Sequence, residues 1–415
     1  MASDASIGPA VDPQRDPLRI AVVTETYPPE INGVANTMRH LVQGLARRGH
    51  RLTLIRPRQR RDRDTRASVD PADPAVEQYL VPGLPLPGYR GLRFGLPVYW
   101  RLRRRWQREA PDAVYIATEG PLGRAALEAA RQLDIAALTG FHTQFHKYSR
   151  FYGLGLLMQP IARSLRRFHN RSDGTLVPTS MLGRELEHQG FEAVHVFSRG
   201  VDTRLFSPDR RSSALRARWG CDDSTLVVLY VGRIAAEKNI GLALEAFQAI
   251  AQRRPEARFV LVGDGPESNR LGARHPSYIF SGAKVGAELA EHYASADLFL
   301  FPSLTETFGN VVTEAMASGL PVVAFDDAAA HEHIRSGENG ILVPLGDTGG
   351  FIDAAAVAAA GDLADLRRLG RAAARTAQGL DWDQVILGVE QRLRDAIEWH
   401  RQPRAQREAL ATTVD

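Results

Sequence analysis

The sequence is poor in cysteine and contains no long apolar segment. Cys221 is the one cysteine among 415 residues, so no disulfide can form within the chain, and a reducing cytoplasm is the expected compartment. No stretch of about 18 apolar residues occurs, which argues against a membrane-spanning helix. Residues 1–17 lack the apolar core of a secretory signal and are predicted to form a disordered leader. We therefore expect a cytoplasmic protein.

Two common nucleotide-binding fingerprints are also missing. The first turn between a predicted strand and helix reads TETYPPEINGVA, residues 24–35, and has no G-x-G-x-x-G pattern. That absence disfavours a nicotinamide or flavin enzyme. The sequence also has no G-x-x-x-x-G-K-[ST] pattern, which argues against a P-loop NTPase. No cofactor is expected on these grounds.

The length and the charge distribution suggest two unlike halves. A chain of 415 residues exceeds what one core usually holds, so two domains are expected. Residues 1–205 contain 30 Lys and Arg against 20 Asp and Glu, and residues 206–415 contain 22 against 28. A basic first half suits nucleic acid, an anionic membrane surface or an anionic acceptor, although so dilute an excess is more often only a solvated surface.

Apolar runs alternate with helical periodicity from residue 19 onward, which predicts an α/β protein with parallel sheets. The segment 198–213, rich in Gly, Pro and Ser, interrupts the pattern and is predicted to be the interdomain linker. We expect doubly wound, Rossmann-like domains at 18–200 and 201–380. The predicted strands are RIAVVTE, HRLTLIRP, DAVYIAT, DIAALTG, DGTLVPT and AVHVFSR in the first half, and TLVVLYVG, ARFVLVGDG, SYIFSG, DLFLFPS, LPVVAF and NGILVP in the second.

The second half is organised around residues 301–325, FPSLTETFGNVVTEAMASGLPVVAF. A buried strand ends before a polar loop, and a helix then begins near Gly309 and Asn310. The open edge beyond the strands of such a sheet is where ligands bind, and a helix N-terminus there offers N–H groups to phosphate. Glu306 and Glu314 are candidates for binding sugar or ribose hydroxyls. Two solvated carboxylates beside a turn explain their spacing equally well.

Other turns at the same edge carry cations and glycines. Arg233 and Lys238 follow the strand in LYVGRIAAEKNI, and fixed cations there suit the charge of a departing nucleoside diphosphate. Surface cations at such a turn are about as common. The turns VGDGPE, with Gly263 and Gly265, and FSGAKVG, with Lys284, occupy positions where a nucleoside would lie.

In the first half, Gly33 opens the first helix and would let a diphosphate approach the backbone, although a turn glycine is equally plausible. His142 directly follows a strand, with His146 four residues on. No third ligand of suitable spacing accompanies them, so no metal site is predicted. His142 is a candidate for contacting a sugar hydroxyl or phosphate. The Asp62-Arg63-Asp64 pattern lies in an arginine-rich stretch and is interpreted as a solvated loop.

Three amphipathic segments remain. The segments 99–109 and 152–171 combine aromatic or apolar residues with arginines and are candidates for membrane contact, but surface helices packing on the sheet are the more common case. The helix at 381–400 has apolar residues at helical spacing and is predicted to pack on a core. Residues 401–415 are predicted to be a flexible tail.

The ordered set of motifs resembles the retaining glycosyltransferases of family 4, which have the GT-B fold of two Rossmann-like domains facing across a cleft. The motifs that carry the resemblance are TETYPPEINGVA, FHTQFHKY, VPTSML, RGVDTRLFSP, VGRIAAEKNI, LVGDGPE, SLTETFGNVVTEAMASGLPVV and NGILVP. The first of them is most similar to mannosyltransferases that use GDP-mannose and to enzymes that glycosylate diacylglycerol-type lipids. The resemblance thus implies a hexose transfer from a nucleoside diphosphate sugar to a lipid or glycan hydroxyl, without nucleic acid as a partner.

The resemblance also implies roles for individual residues. Glu306 would bind the donor sugar and Glu314 the ribose, while the backbone from Phe308 through Gly309 and Asn310 to Val311 would contact sugar and phosphates. Arg233 and Lys238 would hold the diphosphate, Gly33 would approach it, and His142 would contact the transferred sugar. Domain 18–200 would bind the acceptor, domain 201–380 the donor, and the helix at 381–400 would return to the first domain.

The sequence departs from the family pattern at residues 326–340. Most relatives have two glycines where Ala329 and Ala330 stand, which puts fine contacts to the donor in doubt, whereas Glu332 is kept. A transferase using a UDP-sugar and diacylglycerol is the main alternative. A sugar-nucleotide epimerase and a non-catalytic sugar-nucleotide binder are more remote, and loss of Glu306, Arg233 or Lys238 would be expected of a silent binder.

Overall fold

The chain divides into two compact units in a computed structural model that describes residues 16–28, 30, 33–59, 67–70, 73–85, 93–142, 158–304 and 306–402. Unit 1 comprises Met1–Ser198 and Trp382–Asp415, and unit 2 comprises Arg199–Asp381. His146, the Asp62-Arg63-Asp64 pattern, and most of the predicted leader and tail lie outside the described residues.

Unit 1 is built on a sheet in which eight strands are described. Their order is β10-β9-β8-β7-β1-β2-β4-β3, and all neighbours are parallel except β3 and β4. A separate antiparallel pair is formed by β5 and β6. The six strands predicted from apolar runs are present, whereas β3 to β6 were not predicted. The strands are β1 Arg19–Val23, β2 Arg51–Pro57, β3 Ala67–Asp70, β4 Asp73–Val81, β5 Gly83–Pro85, β6 Arg93–Gly95, β7 Ala113–Ile116, β8 Ala136–Gly140, β9 Gly174–Val177 and β10 Val194–Val196.

Helices cover the sheet of unit 1, and the last helix of the chain is one of them. Its stripe of apolar residues at helical spacing, from Trp382 to Ile397, is buried in a cluster with residues of the first helix and of the strands, as expected of an amphipathic helix. Numbered in chain order, the helices of this unit are α1 Gly33–Arg47, α2 Tyr99–Glu109, α3 Pro121–Gln132, α4 Met158–His169, α5 Ser180–His188 and α14 Trp382–Arg401.

Unit 2 has a six-stranded, wholly parallel sheet in the order β13-β12-β11-β14-β15-β16. This is the doubly wound Rossmann order, so the predicted fold class is confirmed for both sheets. The elements are β11 Val227–Val231, β12 Arg258–Val262, β13 Ile279–Gly282, β14 Leu298–Phe301, β15 Val322–Phe325, β16 Gly340–Val343, α6 Ser213–Arg218, α7 Ile240–Arg253, α8 Ser268–Arg274, α9 Gly286–Ala294, α10 Asn310–Ala317, α11 Ala328–His333, α12 Thr348–Ala360 and α13 Leu363–Gln378.

The apolar strands of unit 2 separate two cores. Along β11, Val227, Leu229 and Val231 pack into one buried cluster, and the alternate residues Val228 and Tyr230 pack into another. Successive side chains of a strand point to opposite faces, so a strand covered by helices on both faces must be apolar throughout. This is why the continuous runs in the sequence predicted these strands correctly.

The segment 198–213, which we interpreted as the interdomain linker, begins where the two units divide, between Ser198 and Arg199, and continues into unit 2. Val201 and Phe206 are buried in the core of unit 2, and the backbone N–H of Val201 donates to the carbonyl of Leu380 at 2.9 Å. The Gly, Pro and Ser residues thus mark turns that start at the boundary and run into unit 2. Among the described residues, no helix is both long and apolar enough to cross a membrane.

Candidate functional site

Glu306 and Lys238 form an ion pair at the edge of unit 2 where the parallel strands end. The ammonium Nζ of Lys238 lies 2.6 Å from Oε1 of Glu306, and the side chains are 21% and 16% exposed. The hydroxyl of Ser303 also donates to Oε1 of Glu306, at 2.8 Å. Glu306 lies in the loop between β14 and α10, so its carboxylate is held by two donors from two loops.

The loop after β11 presents Lys238 at the end of a 3₁₀ turn, Ala236–Lys238. Asn239 follows with a φ of 54°, a left-handed conformation that asparagine tolerates better than most residues. The side-chain amide of Asn239 donates to the carbonyl of Pro302 at 3.2 Å. This hydrogen bond fixes the Lys238 loop to the Glu306 loop.

Arg233 lies in the same loop but is directed to a different carboxylate. Its guanidinium Nη1 is 2.7 Å from Oε1 of Glu237, and its side chain is 61% exposed. The hydroxyl of Tyr230 donates to the carbonyl of Arg233 at 3.0 Å. Burial, followed by the charges of Glu306 and Glu237, raises the pKa of Tyr230. The structure therefore pairs Lys238 with Glu306 and places Arg233 in the same loop as Lys238, where its described partner is Glu237.

The start of α10 has the open geometry that the sequence predicted. Gly309 precedes the helix with a φ of 87°, a conformation that favours glycine, and it has no side chain to cap the first N–H groups. Phe308 is buried and its carbonyl accepts from the N–H of Ala329 at 2.8 Å. Val311 is half-buried. The first turn of α10 is thus free of a side-chain cap at its N-terminal residue.

Arg199 supports this turn and was not among the predicted site residues. Its guanidinium carbon lies 5.7 Å from the centre of the Phe308 ring, and its Nη1 donates to Oδ1 of Asn310 at 3.4 Å. Arg199 belongs to the segment that we interpreted as a linker, which is why its role was missed. The sequence RGVD in that segment, which belongs to one of the motifs that carry the family resemblance, was the signal that could have identified Arg199. Ser303 was likewise not among the predicted site residues.

Glu314 lies in the second turn of α10, where it receives a hydrogen bond from a buried tyrosine. The hydroxyl of Tyr293 donates to Oε2 of Glu314 at 3.0 Å. Burial of the carboxyl group outweighs the opposing effect of the hydrogen bond from Tyr293 and raises the pKa of Glu314 to about 7. This carboxyl therefore changes charge near neutral pH.

Gly263 and Gly265 are required by close contact between neighbouring loops. A Cβ atom at Gly263, whose φ is 141°, would lie 1.9 Å from the carbonyl oxygen of Gly232. A Cβ atom at Gly265 would lie 2.2 Å from the carbonyl oxygen of Ile234. The β12 loop thus packs directly on the β11 loop that carries Arg233. The structure shows a packing role for these glycines, and their predicted role in donor binding stays a prediction.

Lys284 has no described contact with the Glu306 pair. It lies between β13 and α9, and its Nζ is 3.5 Å from Oε2 of Glu288 in an ion pair one helical turn away. Glu288 is 70% exposed in that pair, so the interaction is weak. The contribution of Lys284 to donor binding also stays a prediction.

In the region that departs from the family pattern, the unusual backbone conformation is at Ala328, the residue before Ala329 and Ala330. Ala328 has a φ of 50°, whereas Ala329 and Ala330 continue into helix α11 and are buried. A residue with a Cβ atom in this conformation costs about 1–2 kcal/mol. The backbone conformation therefore favours glycine at Ala328.

In unit 1, the predicted residues lie at the ends of two elements. Gly33 is the exposed first residue of α1. His142 lies just past β8 and is buried, with its Nε2 2.9 Å from the hydroxyl of Tyr115 and its ring 6.4 Å from that of Phe197. Within the described ranges, no group of three or more His, Cys, Asp or Glu residues could hold a metal ion.

Known proteins resemble this chain over most of its length. Residues 31–205 match the description "Glycosyltransferase Family 4", and residues 225–360 match "Glycosyl transferases group 1". A GDP-mannose-dependent alpha-mannosyltransferase of Mycobacterium tuberculosis is 34% identical, across 89% of this chain and 94% of that protein. An alpha-monoglucosyldiacylglycerol synthase of Acholeplasma laidlawii is 28% identical, across 78% of this chain and 84% of that protein.

Solved structures agree with the fold. The sucrose-phosphate synthase of Thermosynechococcus elongatus superposes with a TM-score of 0.72 at 21% identity, across 92% of this chain and 99% of that chain. At this identity the likeness concerns the fold alone, which is the GT-B architecture. The shared fold, the two family matches and the relative that aligns along almost its whole length lead to one assignment: the chain is an enzyme of glycosyltransferase family 4.

Proposed function

We propose that this enzyme transfers mannose from GDP-mannose to a hydroxyl group of a lipid or glycan, with retention of the anomeric configuration. The observation that carries the proposal is the Lys238–Glu306 pair, held by Ser303 beside the uncapped start of α10. A cation and a hydroxyl-binding carboxylate side by side suit a ligand that joins a phosphate to a sugar. The 34% identical relative named for GDP-mannose supports the choice of donor.

Each side chain has one part of the donor to bind in this proposal. Glu306 accepts hydrogen bonds from the hydroxyls of the transferred sugar, and Glu314 accepts them from the ribose. Lys238 and Arg233 neutralise the diphosphate together with the N–H groups at the start of α10, because aligned N–H groups at a helix N-terminus attract anions. For Gly33 and His142 of unit 1, contact with the diphosphate and with the sugar stays a prediction from the family resemblance.

The chemistry is positional and electrostatic. The bond from the sugar to the diphosphate breaks, and negative charge grows on the departing phosphate oxygen. Fixed cations and N–H groups in a partly buried site stabilise such a charge far better than water does. The oxygen of the acceptor hydroxyl forms the new bond to the anomeric carbon on the same face of the sugar, and the departing phosphate takes the proton of that hydroxyl, so the reaction needs no protein nucleophile.

A lipid acceptor at a membrane surface is the form of the proposal that we favour. The relative from Acholeplasma laidlawii is named for a diacylglycerol product. Helix α2 of unit 1 supplies five arginines against one glutamate, which suits an anionic bilayer at the inner face of the membrane. A second candidate is a transferase that uses a UDP-sugar instead of GDP-mannose, and the glucosyl group in the name of the same relative supports glucose as the sugar transferred.

Donor binding tests the proposal without knowledge of the acceptor. We expect GDP-mannose to raise the melting temperature of the purified protein more than UDP-glucose does, because at equal concentration the ligand that binds more tightly stabilises the fold more. Glu306→Gln should weaken the difference between GDP-mannose and GDP, since GDP has no sugar for Glu306 to bind. A larger shift with UDP-glucose would favour the second candidate, and no shift with any sugar nucleotide would refute the proposal.

A further inference from the structure

An open cavity of about 480 Å³ lies in unit 1 at the N-terminal ends of α2 and α3. Its size falls within the range of about 300–1,000 Å³ that is typical of small-molecule sites. Its walls are mainly apolar, and polar groups come from one arginine and two glutamates; the lining residues are Pro97, Tyr99, Glu119, Gly120, Pro121, Arg124, Ala125 and Glu128. None of these residues belongs to the donor site proposed above.

The cavity lies at the ligand-binding edge of its sheet. Helix α3 begins just after the carboxyl end of β7, and α2 leads into the amino end of the same strand, so the first turns of both helices lie at the carboxyl edge. His142, at the end of the neighbouring strand β8, lies at the same edge. In open α/β sheets this edge is where ligands bind.

The surface beside the cavity is aromatic and basic. Trp100 is 73% exposed, and its ring meets that of the cavity residue Tyr99 edge-on at 4.8 Å between centroids. Arg101 and Arg104 are exposed on the same helix. Helix α4 adds the exposed residue Ile161, also in a first turn. Helices α2, α3 and α4 together contain ten arginines and two glutamates.

These features match the chemistry of one ligand, a lipid at the surface of an anionic bilayer. Each arginine near such a surface contributes about 1 kcal/mol of attraction, and tryptophan favours the interface between water and acyl chains. An apolar cavity next to the exposed tryptophan would receive the part of a lipid that lies just below the headgroup. Burial raises the pKa of Glu119 to about 7, so its carboxyl suits a hydrogen bond with a lipid hydroxyl.

We propose that the cavity between Tyr99 and Pro121 binds the glycerol and the adjoining acyl chain of a glycerolipid acceptor, taken from an anionic bilayer on which α2 lies. The inference rests on the proposed function, because it assigns the lipid acceptor to a place. It adds a binding site and a class of ligand that the donor site does not specify.

Photocrosslinking tests this site without depending on transfer activity. The full chain is mixed with phosphatidylglycerol vesicles that contain a diacylglycerol with a photoactivatable acyl chain, and adducts are mapped by mass spectrometry. We expect adducts on Tyr99, Trp100 and residues 121–125. Pro121 is exposed, so Pro121→Trp should fill the cavity and lower these adducts about tenfold, which corresponds to about 1.4 kcal/mol. Gln107→Trp, on an exposed position at the far end of α2, is the matched control.

The outcomes separate this inference from the proposed function. Adducts elsewhere, or equal labelling of wild type and Pro121→Trp, would overturn the lipid site even if mannose transfer is observed. Adducts at the expected residues in a protein that transfers no sugar would support the lipid site and contradict the proposed function. Each variant must also keep the thermal stability of the wild type and its response to GDP, since unit 2 is unaltered.

Discussion

Removing the ammonium group of Lys238 is the most informative perturbation of the donor site. A unit charge about 4 Å from another is worth about 4 kcal/mol at an effective dielectric constant of about 20, the value typical near a protein surface. The pair with Glu306 is 2.6 Å long and both side chains are mostly buried, so this dielectric applies. Loss of one fixed donor facing a developing anion costs about 10²–10³-fold in turnover. We expect a loss of that size for Lys238→Met.

A double-mutant cycle decides whether Lys238 and Glu306 act as one unit. Initial rates at saturating donor are compared for Lys238→Met, Glu306→Gln, the double variant and the wild type. If the two side chains bind the same ligand as a pair, the double variant is little slower than either single variant, because neighbouring effects are not additive. Arg368→Met is the control, since Arg368 lies on α13 in an exposed ion pair with Asp365, at 3.7 Å.

Two results would refute this reasoning. A Lys238→Met enzyme with nearly wild-type turnover would show that the ammonium does not face the leaving group. Full additivity in the double variant would show that the Lys238–Glu306 contact is incidental to catalysis. A large loss in the Arg368 control would mean that the assay reports stability, so unfolding must be followed in parallel.

Three further predictions follow from the structure. Because the pKa of Glu314 is about 7, its carboxylate forms as the pH rises through neutrality, and guanosine should then bind more tightly. Calorimetric titrations should show this increase for the wild type, whereas Glu314→Gln should bind guanosine equally well at both ends of that pH range. Ala328→Gly should raise the free energy of unfolding by about 1 kcal/mol. Ala329→Gly, inside the helix, should lower it by about as much. If denaturant titrations show that both variants change the free energy of unfolding in the same direction, the positive φ of Ala328 is contradicted. Gly263→Ala should lower the free energy of unfolding by more than about 2 kcal/mol, since the added Cβ atom would lie 1.9 Å from the carbonyl oxygen of Gly232. The control Gly241→Ala, whose added Cβ atom would lie in open space, should not destabilise the fold.

Sequence patterns predicted the central strands because burial on both faces demands continuous apolar runs. They missed β3, β5 and β6 because these strands of three or four residues lie at the edge of the sheet or in a separate pair, where apolar continuity is not required. They missed β4, which lies between β2 and β3, because polar residues such as Glu77 and Gln78 interrupt its apolar run. The segment 198–213 begins where the units divide, but its later residues belong to the core of unit 2. Turn residues occur inside a unit as well as between units, and only the burial of Val201 and Phe206 distinguishes the two cases.

The candidate site was predictable only in part. Motif positions identified Glu306 and Lys238 as candidates, but nothing in the spacing showed that residues 68 positions apart would pair. The contact between Arg199 and Asn310 spans 111 positions, and the pairing of Tyr293 with Glu314 joins two helices. Such contacts depend on the order in which strands and helices pack, which local patterns do not encode. The φ of Ala328 is similarly a consequence of the turn around it.

The most direct test of the account is mannose transfer itself. The purified enzyme is incubated with radiolabelled GDP-mannose and phosphatidylglycerol vesicles containing diacylglycerol, and the extracted lipid is analysed for a sugar product and its anomeric configuration. We predict a mannolipid with the α configuration of the donor, and none from Glu306→Gln. A lipid product formed from UDP-glucose but not from GDP-mannose would contradict the donor assignment, and an inverted product would contradict the mechanism.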